Sequence, residues 1–380
     1  MNPGRSRLRS APRLATFALA TLVATVVAPA SSIAAVPKSP FAQFYGISPA
    51  TQLDASEVER IGRARVGTIR SPFYWPSIEP DPPGGGGGVL PVPPAQSETL
   101  HWEATDALVR RAAEQRVQVF PFVYGTPDWI SSDPARPPLD GETARAEWQD
   151  FLRDLVGPYG PRGEFWAENP ELAKRPIRDW QLWNEQNSEL FWQPAVSPAE
   201  YTDLLQLSAA AIRSADSGAA IVLGGMFGTP LRGIEAWTFL EDLYAVPGIE
   251  AHFDAYALHP YAPNPRGIRA QIELTRNVLR DAGDRRLPLV VSEIGWPTDG
   301  PPGYNLVKSP EGQKRMLDKA FRMFLDQRRR WNLERLVWYT WRDNDVQPDC
   351  SVCKFSGLFD RELNPKPAWA KFVRFTGGRP

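Results

Sequence analysis

From residue 40 onward, short β-rich runs alternate with helical patterns, and this alternation restricts the fold more than any other feature of the chain. The strand-like runs are Phe41–Ile47, Val66–Arg70, Val117–Tyr124, Ile177–Trp183, Ala220–Gly225, Phe253–His259, Leu287–Glu293 and Arg335–Trp341. Several are apolar on both faces, as in Pro288-Leu289-Val290-Val291, the pattern of a strand covered on both sides of a parallel sheet. Helical patterns cover Thr105–Arg116, Glu142–Val156, Ser197–Asp216, Ile234–Tyr244, Ile268–Ala282, Gln313–Arg330 and Pro367–Phe375. Gly157 reads as a helix stop, and Ser197-Pro198-Ala199-Glu200 as a capping box with proline at the first helical position. The pattern predicts an α/β fold, a (β/α)8 TIM barrel, as one domain over residues 36–380 with any site at the C-terminal strand ends. A doubly wound sheet is the alternative, but no G-x-G-x-x-G follows any of the runs.

The first 35 residues read as an address. Arg5, Arg7, Arg9 and Arg13 precede an apolar run from Leu14 to Ala30, and small residues follow through Ala35. That order is a signal peptide, so cleavage near Ala34 or Ala35 and a secreted protein are expected. No second run is long enough to span a bilayer, so no membrane partner is expected after cleavage. In an oxidising compartment Cys350 and Cys353, spaced C-x-x-C, are expected to close a small disulfide loop. Asp81 to Pro94 carries Gly84 to Gly88 between prolines; no Lys-Ser/Thr pair follows, so it reads as a loop insertion after the second strand and not as a phosphate cradle.

Composition removes several classes of function. Lys+Arg at 43 against Asp+Glu at 44 gives no global field for nucleic acid. Two cysteines exclude a disulfide-built scaffold, and three histidines make a histidine-rich metal centre poorly supplied. The chain lacks a G-x-S-x-G elbow, an H-E-x-x-H pair and a Walker loop. Carboxylate and tryptophan are what abound at the strand ends. With 14 tryptophans, some are expected to serve as stacking surfaces for sugars: Trp75, Trp129, Trp192, Trp296 and, above the others, Trp341.

Two glutamates stand out. The fourth run ends Trp183-Asn184-Glu185-Gln186-Asn187, and the seventh ends Ser292-Glu293-Ile294-Gly295-Trp296. Strands 4 and 7 face each other across an eight-stranded barrel, so their rim carboxylates can converge on one cavity. A protonated and an ionised carboxyl over one cavity constitute the means of glycoside hydrolysis. Asp343 is the nearest rival carboxylate and reads as a candidate sugar-hydroxyl ligand.

The Asn-Glu at strand 4 together with the Glu-Ile-Gly-Trp at strand 7 resembles the motifs of glycoside hydrolase clan A, nearest to family 39-like and family 5-like enzymes, over most of residues 40–375. The resemblance implies a retaining mechanism with Glu185 as acid/base and Glu293 as nucleophile. It implies that Asn184 holds the sugar 2-hydroxyl and that Arg70 keeps Glu293 ionised. It places His259 and Tyr261 in the same cluster and makes Trp341 the platform under the reacting sugar. Many members carry proline after the Asn-Glu pair, where this chain has Gln186. No cofactor and no metal enter such a mechanism, so EDTA is not expected to inhibit. The implied partner is an oligosaccharide or polysaccharide, taken by a monomer, with endo action suggested by the tryptophans and the loop after strand 2. A transglycosylase shares the first chemical step, and a non-catalytic carbohydrate-binding barrel would share the fold.

Overall fold

The computed structural model describes residues 43–82, 100–346, 350 and 353–380. The export segment expected over residues 1–35 and the glycine run at 84–88 lie outside the described residues.

Eight parallel strands close into a barrel in sequence order, with the last strand pairing the first. They are β1 (Tyr45–Ser48), β2 (Thr68–Tyr74), β3 (Gln118–Tyr124), β4 (Asp179–Asn184), β5 (Ala220–Phe227), β6 (Tyr256–His259), β7 (Leu289–Ile294) and β8 (Leu333–Tyr339). The helices are α1 (Ala55–Arg63), α2 (Trp75–Ile78), α3 (Glu103–Glu114), α4 (Gly141–Tyr159), α5 (Glu164–Glu168), α6 (Pro198–Ala215), α7 (Ala236–Tyr244), α8 (Pro265–Asp281), α9 (Pro310–Gln327) and α10 (Pro367–Thr376). The (β/α)8 expectation therefore holds. No described helix is long and apolar enough to cross a membrane.

Three differences from the sequence reading have physical causes. The segment 55–63 carries no helix in that reading, yet α1 forms there. Asp54 accepts from the Glu57 amide (2.8 Å), and the Glu57 carboxylate accepts from the Asp54 amide (2.9 Å), a reciprocal cap. α4 runs through Gly157 and Pro158 because its last residue, Tyr159, is buried and its hydroxyl donates to Asp106 on α3 (2.6 Å). β8 ends at Tyr339, two residues before its expected end. The Thr340 hydroxyl donates to Ser48 O (2.9 Å) and accepts from the Ala50 amide (3.0 Å), so the chain leaves the barrel at that point.

The strands have two apolar faces. Ile221 and Leu223 belong to a continuous core between barrel and helices, while Val222 lies in a separate small cluster with Phe120, Ala255, Ala257 and Val290. Alternation along β5 assigns that second cluster to the barrel interior. The outer core holds most of the indoles: Trp75, Trp148, Trp180, Trp183, Trp192, Trp296, Trp331, Trp338 and Trp341 are all buried. Filling the space between sheet and helices is thus the main employment of tryptophan in this chain. Cys350 and Cys353 are joined by a disulfide, as expected.

Candidate active site

β4 alternates normally as far as Leu182. Trp180 and Leu182 face the outer core, and Gln181 faces inward, accepting from Arg70 Nε at 3.0 Å. Trp183 then takes a left-handed backbone conformation, φ 68°, and its indole also turns outward, donating to Phe191 O (2.5 Å). The skipped alternation brings Asn184 inward, where its Oδ1 accepts from Arg70 Nη2 at 2.8 Å. Glu185 follows, again left-handed at φ 45°, with its amide donating to Gly225 O at 3.0 Å. β7 achieves the same result by another irregularity. Val291 and Ile294 both face the outer core, the register against β8 slips between them, and Glu293 emerges on the inner side. A strict period of two would have misdirected one or the other carboxylate.

The two glutamates meet with His259 between them. One ligand atom from each of Glu185, His259 and Glu293 lies within 4.8 Å of the others. Each glutamate side chain retains 12% exposure, so both remain open to the mouth of the barrel. His259, the last residue of β6, is buried, with Nδ1 at 2.7 Å from Glu185 Oε1 and Nε2 at 3.7 Å from Glu293 Oε1. The hydrogen between Nδ1 and Oε1 belongs to one or the other according to the imidazole tautomer. Gly224 and Gly225 make room for this arrangement. A Cβ at Gly225 would stand 2.1 Å from His259 Nε2, and one at Gly224 would stand 2.1 Å from Gln186 Oε1.

Glu293 is served by two donors. Arg70 Nη1 reaches Oε1 at 2.6 Å, and the Tyr261 hydroxyl donates to Oε2 at 3.0 Å. Arg70 is fully buried on β2, its Cζ 3.9 Å from the centre of the Phe122 ring, and it also donates to Ser48, Gln181 and Asn184. A buried guanidinium with so many acceptors is held in one orientation. Tyr261 is seated by stacking on Phe227, 5.6 Å between centroids and 23° between planes.

The environments push the two carboxyls apart. Burial raises Glu185 well above the ordinary carboxylate range, and the charge of Glu293 raises it further; Arg70 opposes both. Burial also raises Glu293, but Arg70 and the Tyr261 hydroxyl pull it back. His259 is pushed well below its usual value by burial and by Arg70, and so stays neutral. At a pH where one proton is shared by the pair, it resides on Glu185 and Glu293 is ionised. Two carboxylate oxygens and one imidazole nitrogen are a donor set that suits a borderline divalent cation. Glu293, however, already has its countercharge in Arg70.

Of the seven residues expected at the site, six converge: Arg70, Asn184, Glu185, His259, Tyr261 and Glu293. Trp341 does not, and its expected role as platform is corrected. It is 0% exposed, packs on Phe359 (4.5 Å) and Trp369 (5.4 Å), and donates from Nε1 to Glu57 at 3.0 Å. The bend at Thr340 carries its ring into the outer shell. Trp75, Trp192 and Trp296 are likewise buried, and only Trp129 of the proposed stacking residues keeps partial exposure. Asp343 is bound by Lys366 (2.7 Å) and the Gly357 amide (2.9 Å), which makes it a structural anchor.

The aromatic at the end of β8 is Tyr339, a residue the sequence reading passed over. Its hydroxyl is buried without a hydrogen-bond partner among the described residues, and both Glu185 and Glu293 act on its titration, raising it beyond the effect of burial. The alternation signal was present: Leu336 and Trp338 face the outer core, so Tyr339 faces inward. Tyr124 and Phe122, stacked at 5.3 Å, complete an aromatic wall on the β3 side.

No protein-family model matches this sequence, and no curated protein matches it. Solved structures share the fold. A family 39 glycoside hydrolase from Bacteroides cellulosilyticus WH2 superposes with a TM-score of 0.60 at 18% identity, over 89% of this chain and 64% of that one. A monomeric β-xylosidase from Caulobacter crescentus CB15 gives 0.62 at 14% identity, over 88% of this chain and 67% of that one. Xylanase 10B from Thermotoga petrophila RKU-1, solved with xylobiose, gives 0.58 at 14% identity, over 89% and 94%. This chain therefore spans less than two thirds of the length of the family 39 enzyme, and what is shared at these identities is the barrel.

Proposed function

We propose that the protein is a retaining glycoside hydrolase acting on an oligosaccharide or polysaccharide. The observation that carries the reading is the carboxylate pair: oxygens of Glu185 and Glu293 lie within 4.8 Å of each other. Retention needs carboxyl groups about 5–5.5 Å apart and inversion about 6.5–9.5 Å. The glycosidases among the structural neighbours support the substrate class, and the arginine-flanked apolar segment at the N-terminus supports export.

In the first step Glu185 donates its proton to the glycosidic oxygen as that bond to C1 breaks, and a Glu293 oxygen bonds C1. The aglycone leaves with the proton, and the sugar is held as an ester of Glu293. In the second step the Glu185 carboxylate takes a proton from water, the water oxygen bonds C1, and Glu293 departs as carboxylate. Both groups are then as they began. Arg70 and Tyr261 stabilise the charge that Glu293 carries before and after the ester. Asn184, its oxygen held by Arg70, offers its NH2 to the neighbouring sugar hydroxyl, and Tyr339 offers an aromatic face beside the pair.

Screening a polysaccharide and aryl-glycoside panel, then following the anomeric proton of the first-formed product by NMR, tests this. Retention with a 2-fluoroglycoside trapped on Glu293 is expected; first-formed product of inverted configuration, or unchanged turnover by Glu293→Gln, overturns it. Adding a sugar acceptor separates hydrolysis from transfer.

A further inference from the structure

Glu185 sits in a backbone conformation that a non-glycine residue adopts at a cost, on the order of 1–2 kcal/mol. Something nearby must over-determine it. The residue two positions on, Asn187, is fully buried, and its side chain hydrogen-bonds to the main chain of Phe227 and Ile234. Its Nδ2 donates to Phe227 O (2.7 Å) and to Ile234 O (2.7 Å), and its Oδ1 accepts from the Phe227 amide (2.9 Å). Its own carbonyl accepts from the Ile234 amide at 2.9 Å. Every donor of this side chain is spent on the main chain at the end of β5 and in the segment that follows it.

The neighbouring bonds extend the same seam. Ser188 forms an antiparallel bridge with Gly233, and the Glu189 amide donates to Arg232 O at 3.2 Å. Gly233 lies at φ 133°, and a Cβ there would stand 2.1 Å from Asn187 O, so the two loops meet too closely for any other residue. Behind Asn187, the Glu185 carbonyl accepts from the Ser188 amide at 2.8 Å. Glu185 is thus held on its N-terminal side by Gly225 and on its C-terminal side by a turn whose far end Asn187 stitches to the β5 loop.

We propose that Asn187 is a positioning residue for the acid/base: it staples the loop after β4 to the loop after β5 and so keeps the Glu185 carboxyl aimed at the leaving oxygen. This rests on the glycosidase reading above. Asn187 also fixes the main chain of Phe227, on which Tyr261 stacks, but that route to Glu293 runs through a ring contact and a hydrogen bond, whereas Glu185 is two residues away along the chain. Loss of the staple should therefore fall on proton donation more than on nucleophilic attack.

Leaving-group chemistry tells those apart. A phenyl glycoside needs protonation to leave, while a 2,4-dinitrophenyl glycoside departs as a stable anion without it. In Asn187→Asp a carboxylate oxygen faces two carbonyls in place of the NH2. Its kcat/KM for the phenyl glycoside is expected to fall about 10- to 100-fold, the loss that small misplacement of a catalytic group produces. For the 2,4-dinitrophenyl glycoside kcat/KM, which reports only the first step, should change by less than about 3-fold in the same preparation, which also serves as the folding control. The alkaline limb of kcat/KM should move to lower pH, since a loosened Glu185 gains solvent. Gly233→Ala breaks the staple from the opposite loop and should give the same signature if Asn187→Asp does not fold. Equal losses on both substrates, or none, overturn the staple provided Glu185→Gln shows the leaving-group signature. If Glu185→Gln lacks that signature, the glycosidase reading falls and the staple with it.

Discussion

The ends of β4 and β7 present the same side chain to the same cavity and make two different groups of it. Glu293 leaves β7 beside a buried guanidinium at 2.6 Å and a phenol at 3.0 Å. Glu185 leaves β4 on a left-handed turn, with a neutral imidazole at 2.7 Å as its neighbour. Burial raises both, but only Glu293 has donors that bring it back, and its charge then raises Glu185 further. The lesson is that role follows from the partners supplied by other strands: Arg70 from β2 and Tyr261 from the loop after β6 decide which glutamate keeps the proton.

Removing either carboxyl breaks this asymmetry outright. Glu293→Gln should lose about 10^4-fold or more in kcat on every substrate, because no covalent intermediate can form; steady-state rates and failure of 2-fluoroglycoside trapping check it. In the same variant the push on Glu185 disappears, so its titration, followed by infrared difference spectroscopy, should move to lower pH. Glu185→Gln should lose about 10^2- to 10^4-fold on substrates with poor leaving groups and lose the alkaline limb of kcat/KM.

Arg70→Met tests the source of the asymmetry. It leaves Glu293 buried without its countercharge, which should cost about 3–5 kcal/mol in denaturant unfolding. The acidic limb of kcat/KM should move to higher pH, since Glu293 then holds its proton longer. Tyr261→Phe should move that limb the same way by a smaller amount, with a loss of about 1.5–3 kcal/mol in transition-state stabilisation read from kcat/KM. An unmoved limb in both variants would show that Glu293 does not set it.

The smallest effect concerns stability. The folded chain holds the Glu185 proton above the ordinary glutamate value of 4.5, where the unfolded chain releases it. Stability is therefore unaffected by this group below that pH and falls as pH rises towards the folded-state value. Glu185→Gln should melt higher than wild type at neutral pH, by the order of 1 kcal/mol, and equally with it at pH 4 and below. Differential scanning calorimetry at the two pH values checks the sign.

Much of this was readable along the chain. Strand order, the helical intervals of α3, α4 and α6 to α10 and both glutamates follow from local pattern, because alternation and apolar runs reflect burial that every residue of a strand shares. Six of the seven expected site residues come together: five stand at or beside a strand end, and Arg70 reaches them from the third position of β2. Trp341 fails because β8 stops two residues early, a decision taken by Thr340 bonding to the β1 end. The tryptophans mislead as a class, since an indole at a strand end serves equally well as sugar platform or as filler between sheet and helix, and composition does not separate the two.

The sequence alone therefore determined the barrel, the strands that carry the carboxylates and the residue types gathered at its mouth. Those depend on hydrophobic period and chain order, which are local. The tertiary structure alone decided which glutamate stays protonated, how the left-handed step at Trp183 and the slip in β7 turn both side chains inward, and that Tyr339 and not Trp341 faces the pair. Each of these is set by a hydrogen bond or a charge from a strand distant in sequence, and no period in the chain encodes such a partner.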